Sequence, residues 1–236
     1  SRIDPIPLLD GERRVVTILI SDLSGFTAMG ERLDPETVAD IMRTIKQEGT
    51  KIIEAHGGIV NQFIGDEIVS VFGLPTAGDD DARRAVSAAL ALHDRVARLG
   101  NELPAGSQVS LAMHSGIQTG LVIAQVDDDR NGVYELTGDT INTAARLLSL
   151  ADSGAVLIGD ATMHQVQGLV EVEDAGLHEA RGKANPIGAF RVIRALTDRT
   201  RFDASREIGL TPFTGRDAEM SILLDSARAA FSERGN

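Results

Sequence analysis

Two aspartates in strongly apolar surroundings are the residues of this chain best suited to chemistry. Asp22 follows the apolar run at 15–20, and Asp66 lies between Phe63-Ile64-Gly65 and Glu67-Ile68-Val69. Segments rich in Val, Ile and Phe are typical of buried strands. A sheet could therefore bring the two carboxylates to one edge, where they would hold a divalent metal ion. Taken singly, an aspartate in such a place is more often a polar residue that ends a strand at a turn.

The composition indicates a globular protein with a sizeable core. The chain has 236 residues, of which 42% are hydrophobic, enough for one large domain or one domain plus a fragment. Its 35 acidic and 23 basic side chains give a net charge of -12, which argues against nucleic acid or an anionic membrane as the main partner. Cysteine is absent, which excludes disulfides and thiolate metal ligands. Lacking a bilayer-spanning apolar run or a recognisable secretion signal, the sequence favours a cytoplasmic location.

The hydrophobic pattern predicts the elements that must position the two carboxylates. The first half is expected to comprise an N-terminal arm at 1–12, a strand at Arg13–Asp22, a long helix from Pro35 to Gly57, a hairpin at Ile59–Ile64 and Ile68–Phe72, and a second long helix at Ala82–Leu99. The turn of this hairpin would carry Asp66 at its tip. Asp22 and Asp66 would then lie at the ends of neighbouring strands.

The second half is predicted to add strands around one further helix. It is expected to comprise a strand pair at Val109–His114 and Gly120–Gln125, a short strand through Leu136, a helix at Thr140–Leu150, strands at Ala155–Ile158, Leu169–Val172 and Ala189–Val192, and a brief helix that begins at Asp160. The order is then β, α, β, β, α, β with C-terminal additions. This is the pattern of a ferredoxin-like α+β sandwich.

Three segments together resemble the class III nucleotidyl cyclases, the catalytic domain of adenylate and guanylate cyclases. The segments are SDLSGFT at 21–27, FIGDE at 63–67 and GDTINTAARL at 138–147, in the order and spacing of that family. The resemblance covers roughly residues 13–195. It implies an enzyme that closes a nucleoside triphosphate into its 3′,5′-cyclic monophosphate and releases pyrophosphate.

The resemblance assigns the metal and phosphate sites. Asp22 and Asp66 match the metal-binding aspartates of the family, with the Leu23 carbonyl as a further ligand, for two Mg²⁺ or Mn²⁺ ions. Chemistry of this kind needs such ions, because they acidify the attacking hydroxyl and clamp the phosphates. The backbone amides of the next four residues, where the strand turns into a helix, could cradle the triphosphate. These residues are Ser24, Gly25, Phe26 and Thr27. An ordinary strand-to-helix turn with Phe26 in the core is compatible with the same sequence.

Further residues are assigned to the substrate. Asn142 and Arg146 are four residues apart and share a helix face. The resemblance implies that the amide positions the ribose and that the guanidinium meets charge developing at the α-phosphate. Arg181 matches a basic residue for the terminal phosphates, with Lys183 as a neighbour that could share the role, although a surface basic pair is an equally simple interpretation. Two more residues, Gly65 and Leu136, are expected to contact the substrate.

Gln62 and Glu135 occupy the two positions that select the base in the family, which typically carry Lys and Asp for adenine or Glu and Cys for guanine. Glu135 can accept from the adenine 6-amino group, and the Gln62 amide can donate to ring N1. The same side chains could also meet guanine. A site discriminates strongly between bases when the wrong base leaves buried polar groups unpaired. A site that can pair with both bases lacks this energetic cost and discriminates weakly. The pair therefore predicts a preference for ATP with some use of GTP.

The resemblance also implies a homodimer with two composite sites, because the aspartates and the Asn142/Arg146 pair belong to opposite subunits in this fold. Residues 196–236 are expected to be a linker and the truncated start of a downstream ATPase-like domain, which Pro212–Leu224 resembles. Two alternatives are a catalytically weak or inactive nucleotide-sensing module and a diguanylate cyclase, whose signature has a second glycine where this chain has Ile64. The five histidines are scattered, so no zinc site is predicted.

Overall fold

The computed structural model describes residues 11–102, 110–126, 134–179, 186–196, 215 and 217–232. The elements in chain order are β1 (Glu12–Ser24), α1 (Phe26–Arg32), α2 (Pro35–Ala55), β2 (Ile59–Ile64), β3 (Glu67–Phe72), α3 (Asp81–Glu102), β4 (Ala112–Val126), β5 (Tyr134–Thr137), α4 (Asp139–Leu150), β6 (Val156–Gly159), α5 (Asp160–Val166), β7 (Val170–His178), β8 (Ile187–Ala195) and α6 (Asp217–Ser232). No helix in the described part of the chain is long and apolar enough to cross a membrane.

A mixed sheet with helices on both faces forms the centre of the fold. The strands follow the order β2-β3-β1-β4-β6-β8-β7, with β5 paired to β4. β4 and β6 are parallel, whereas β1 pairs antiparallel with both β3 and β4. Successive side chains of β1 point to opposite faces. Leu19 joins the core cluster that contains Ala85 of α3, and Ile18 joins the one that contains Ala144 of α4. The predicted α+β class is therefore confirmed.

The predicted start of the long helix and the predicted hairpin are also confirmed. α2 begins after Asp34, whose side chain accepts a hydrogen bond from the Thr37 amide at 2.9 Å, as an N-cap does. β2 and β3 form the expected hairpin, joined by the turn Gly65-Asp66. Gly65 has a φ of 63°, the left-handed region that glycine adopts without strain. Asp66 thus lies at the hairpin tip.

The predicted strand pair at Val109–His114 and Gly120–Gln125 is wrong, because a single strand, β4, runs from Ala112 to Val126. Two glycines of β4, Gly116 and Gly120, instead serve to pack α4. A Cβ on Gly116 would lie 2.2 Å from the carbonyl oxygen of Ala144, and one on Gly120 would lie 2.6 Å from the Thr140 hydroxyl. Glycine inside a strand marks a close approach here, and the chain does not turn.

The C-terminal strands are longer than predicted, since β7 extends to His178 and β8 covers Ile187–Ala195. Beyond β8, the described part of the C-terminal segment forms α6. Most of the segment 197–216, including the start of the predicted ATPase-like unit at Pro212, lies outside the described residues.

Candidate active site

Asp22 and Asp66 meet where β1 passes the tip of the hairpin. The last pair in the β1–β3 register joins Ser21 to Ile68, and the turn that carries Asp66 precedes β3 directly. The side chains of Asp22 and Asp66 lie close enough for the charge of Asp22 to raise the pKa of Asp66. The structure therefore brings together the two carboxylates that the sequence singled out.

Asp22, Asp66 and Glu67 form an acidic site whose electrostatics favour a bound cation. Burial raises the pKa of Asp66, and the negative charge of Asp22 raises it further. Burial also raises the pKa of Glu67, with added effects from the charges of Asp22 and Asp66. Because like charges held close together disfavour ionisation, the acidic site resists becoming fully charged on its own. A bound cation would remove that resistance.

A hard divalent ion such as Mg²⁺ fits this donor set. In the described part of the chain, no group of three or more His, Asp or Glu side chains is arranged to hold a metal ion. Mg²⁺ is bound through one or two carboxylates and completes its shell with water and phosphate oxygens. Asp22 and Asp66 supply the carboxylates, and the backbone carbonyl of Leu23 adjoins Asp22 on β1. The metal site would thus be completed by a phosphate-bearing ligand.

His114 extends the site on its other side. It is the cross-strand partner of Asp22 on β4, and its Nε2 lies 3.8 Å from Oδ2 of Asp22. Its Nδ1 lies 3.0 Å from the hydroxyl of Ser24. One imidazole ring therefore contacts both a predicted metal ligand and a predicted phosphate-binding residue.

A polar network lies on the opposite face of β1 and β4. The hydroxyls of the cross-strand partners Ser21 and Ser115 are 2.7 Å apart. Nε2 of His93 on α3 is 2.7 Å from the Ser115 hydroxyl, and its Nδ1 is 3.3 Å from the Gly154 carbonyl. Burial lowers the pKa of His93 to about 4, so the ring is neutral at pH 7, with Nδ1 donating and Nε2 accepting. The network ties the strands together beside Asp22.

The turn after β1 has a backbone suited to close approach by a ligand. Gly25 has a φ of 82° and caps α1, with open space where a Cβ would stand. Leu23 is buried and Phe26 packs against the same core cluster, whereas Thr27 contributes to the first turn of α1. The core position expected for Phe26 is therefore observed. The phosphate-binding role of residues 24–27 stays a prediction.

The two predicted base-binding residues lie on strands that one side chain connects. Gln62 is half-buried on β2, and Glu135 is exposed on β5. Nδ2 of Asn61 donates to the Tyr134 carbonyl at 3.0 Å, and the Tyr134 amide donates to Oδ1 of Asn61 at 2.8 Å. Leu136, a further predicted substrate residue, packs against the core cluster of β1 and α4. The residues that precede Gln62 and Glu135 are thus bonded to each other.

Asn142 and Arg146 lie on one face of α4, as the sequence predicts. Asn142 is exposed and Arg146 is half-buried, while the opposite face of α4 packs against β4, β1 and β6. The close approach at Gly116 fixes the distance of this helix from the sheet. Arg181 and Lys183 lie outside the described residues.

Three residues of this region carry no signal in the sequence pattern: Asn61, His93 and His114. Asn61 and Tyr134 are 73 positions apart, and Ser24 and His114 are 90 apart. The histidines are scattered along the sequence, whereas metal sites are recognised by short spacings. Only the register of β1 against β4 brings His114 to Asp22.

Comparison with known proteins assigns this arrangement to a class. The family model described as the adenylate and guanylate cyclase catalytic domain matches residues 11–192. The chain belongs to this family, as its three sequence segments predict. It is similar to adenylate cyclase 1 of Rhizobium meliloti, with 28% identity over 184 residues that cover 77% of this chain. The matched region is 28% of the length of that relative, so the chain spans about a quarter of it.

Solved structures show the same fold. The adenylyl cyclase CyaB from P. aeruginosa superposes with a TM-score of 0.75 at 28% identity, covering 81% of this chain and 100% of that one. The guanylyl cyclase Cya2 gives the same TM-score and identity, covering 81% of this chain and 98% of its own. The fold is therefore that of the class III cyclase domains. The adenylyl and the guanylyl cyclase thus match this chain equally well.

Proposed function

We propose that this domain is an adenylate cyclase that converts ATP into 3′,5′-cyclic AMP and pyrophosphate at a homodimer interface. The observation that carries the proposal is the pair of adjoining carboxyl groups of Asp22 and Asp66. Like charges held together reduce stability, and a domain that only bound a partner would gain nothing from them. We take the catalytic domain to span residues 13–195 and the segment 196–236 to lead into a downstream ATPase-like unit.

The acidic site would act on the triphosphate through cations. Two Mg²⁺ or Mn²⁺ ions held by Asp22, Asp66 and the Leu23 carbonyl supply, when bound, positive charge that acidifies the ribose 3′ hydroxyl and neutralises the phosphates. His114 adjoins Asp22 and Ser24, with one ring nitrogen 3.8 Å from the Asp22 carboxylate and the other 3.0 Å from the Ser24 hydroxyl. The chain's own contribution here is to fix the donors before the substrate arrives.

The remaining residues orient the substrate for in-line attack. Backbone amides of residues 24–27 bind phosphate oxygens, and Asn142 positions the ribose. Arg146 meets the negative charge that develops as the bond from the 3′ oxygen to the α-phosphorus forms and the bond to the pyrophosphate oxygen breaks. Arg181 and Lys183 receive the terminal phosphates. Each donor serves a group whose charge changes during the reaction.

The preference for ATP follows from Gln62 and Glu135. The Gln62 amide donates to N1 of adenine, and the Glu135 carboxylate accepts from the 6-amino group. Guanine can use the same pair, since Gln62 can donate to O6 and Glu135 can accept from N1–H and the 2-amino group. We therefore expect ATP to be the better substrate and GTP to be turned over more slowly.

The first experiment measures turnover. Purified protein, at concentrations where it is dimeric, is incubated with Mn²⁺ or Mg²⁺ and either ATP or GTP, and cyclic nucleotide and pyrophosphate are quantified. We expect cyclic AMP to exceed cyclic GMP and to vanish in Asp22→Ala. Equal turnover of both nucleotides, or faster use of GTP, would refute the preference for ATP. Absence of any product would favour the nucleotide-sensing module.

Mixing two inactive variants tests the composite site. Asp22→Ala and Arg146→Ala are each expected to be inactive as homodimers. A heterodimer of the two has one site with both lesions and one intact site. Because random exchange makes half of the dimers mixed, about a quarter of wild-type activity should return. Native mass spectrometry monitors subunit exchange in the mixture. If the subunits exchange and the mixture stays inactive, the proposal that each site is shared between subunits is refuted.

A further inference from the structure

Asn61 occupies an irregular position on β2, next to the predicted base-binding residue Gln62. The β2–β3 register shifts between Val60 and Gln62, so Asn61 has no cross-strand partner in the ladder. It is nonetheless 5% exposed, although its side chain is polar. Burying an amide side chain is costly unless its hydrogen-bonding groups are satisfied. A bulge of this kind therefore serves to aim the side chain somewhere specific.

The target of the Asn61 side chain is the backbone of Tyr134. The amide nitrogen of Asn61 donates to the Tyr134 carbonyl at 3.0 Å, and the side-chain oxygen accepts from the Tyr134 amide at 2.8 Å. Asn61 thus bonds Tyr134 as the backbone of a neighbouring strand would, on the edge of β5 that faces away from β4. The orientation of the side-chain amide is fixed, because only one assignment of its oxygen and nitrogen satisfies both groups of Tyr134.

These two hydrogen bonds between Asn61 and Tyr134 connect the two halves of the proposed base site. Gln62 follows Asn61 in the chain, and Glu135 follows Tyr134. Apolar contacts alone link the two strands less specifically, since Ile59 of β2 and Tyr134 of β5 only pack against one core cluster. Apolar packing tolerates sliding, whereas a pair of hydrogen bonds sets both distance and register. The hydrogen bonds between Asn61 and Tyr134 therefore set the spacing between their chain neighbours, Gln62 and Glu135.

We propose that Asn61 is a positioning residue for base recognition, which holds Gln62 and Glu135 at the separation that a purine base requires. It touches neither the base nor the reacting atoms, and it acts through the backbone of Tyr134. The proposal rests on the proposed function in that it takes Gln62 and Glu135 as the base-binding residues. It adds a residue that determines how strongly the base contributes to binding.

The test compares a ligand that has a base with one that has none. Binding of ATP and of inorganic tripolyphosphate is measured by calorimetry with Ca²⁺, on the full dimeric chain, for wild type and Asn61→Ala. We expect ATP affinity to fall by about tenfold while tripolyphosphate affinity stays within about twofold, because the phosphate site lies on β1 and the turn after it. Equal losses for both ligands, or no loss for either, overturn the proposal.

Two further variants separate positioning from stability. Asn61→Asp keeps an acceptor for the Tyr134 amide but sets a second oxygen against the Tyr134 carbonyl, so its ATP affinity should fall by a similar factor while the protein stays folded. Ile59→Ala is the matched control, because it weakens the apolar cluster that Ile59 and Tyr134 both pack against and leaves the Asn61–Tyr134 hydrogen bonds in place. It should leave the ratio of ATP to tripolyphosphate affinity unchanged. A change in Ile59→Ala as large as in Asn61→Ala would contradict the proposal.

The outcome is independent of turnover. If the wild type binds ATP more tightly than tripolyphosphate but makes no cyclic nucleotide, the proposed enzyme activity fails and the role of Asn61 is still measured. If cyclic AMP forms but Asn61→Ala keeps the wild-type ATP affinity, the enzyme stands and the role of Asn61 is refuted. A wild type that binds ATP no better than tripolyphosphate has no base site for Asn61 to position, which also refutes it.

Discussion

His114 stands directly opposite Asp22 across β1 and β4, and its Nε2 lies 3.8 Å from Oδ2 of the carboxylate. Its other ring nitrogen contacts the Ser24 hydroxyl at 3.0 Å. Asp22 is a proposed metal ligand, and losing a residue that supports a metal ligand typically reduces metal affinity by 10- to 100-fold.

We therefore expect His114→Ala to raise the half-saturating Mn²⁺ concentration of the cyclase reaction by at least about tenfold. Ser24→Ala is the matched control, since it removes the hydroxyl partner of the ring and leaves the contact with Asp22 in place. It should shift the Mn²⁺ requirement much less. An unchanged Mn²⁺ titration in His114→Ala would show that Asp22 needs no support from the ring.

The repulsion between Asp22 and Asp66 predicts that neutralising Asp66 stabilises the metal-free protein. Without metal, Asp66→Asn should raise the melting temperature by about 2–4 °C, because it removes a like charge from beside Asp22. Mn²⁺ should raise the melting temperature of the wild type but not that of the variant. The measurement is differential scanning calorimetry with EDTA and then with Mn²⁺.

Asp94→Asn serves as the control for this experiment. Asp94 is exposed on α3 and pairs with Arg98 at 2.7 Å, so its neutralisation should change stability by less than about 0.5 kcal/mol. It should also leave the Mn²⁺ response intact. Equal stabilisation by both variants would mean that overall net charge, rather than the acidic site, governs the effect.

The contact between β4 and α4 predicts a severe effect at Gly116. Gly116→Ala places a Cβ 2.2 Å from the Ala144 carbonyl oxygen and 2.3 Å from the Leu148 nitrogen, so α4 must shift. We expect a loss of about 3 kcal/mol in the free energy of unfolding, measured in urea, together with lower kcat because Asn142 and Arg146 move with the helix. Gly30→Ala in α1, where a Cβ meets nothing within 4 Å, should not destabilise the protein.

His93 predicts a dependence of stability on pH. In the unfolded chain its pKa is the ordinary 6.5, whereas burial lowers the folded value to about 4. Between these values the unfolded state binds the proton and the folded state does not, so stability is lost as pH falls from about 6.5 towards 4. Urea titrations at pH 7.5 and 5 should show His93 contributing about 2 kcal/mol to the loss.

His93→Gln should remove that contribution, because glutamine does not titrate. His164 is exposed on α5, so His164→Gln should retain the wild-type dependence on pH. A loss of stability that is as large in His93→Gln as in the wild type would assign the dependence to carboxylates instead.

The sequence determined those parts of this protein that depend on neighbouring residues. Asp34 and Pro35 mark the start of α2, and Gly65-Asp66 closes a hairpin, because caps and tight turns are set within a few residues. The order and spacing of three segments led to the cyclase family and to Asp22 and Asp66. The prediction failed at β4, where the pattern predicts two short strands but one continuous strand runs from Ala112 to Val126, with Gly116 admitting the close approach of α4.

Tertiary structure alone decided which distant side chains meet. His114 reaches Ser24 across 90 positions, and Asn61 reaches Tyr134 across 73. Such pairs depend on strand register, and a shift of one residue would turn His114 to the face that His93 occupies. The register is set by the packing of both sheet faces at once, so no local pattern around His114 or Asn61 could have disclosed their partners.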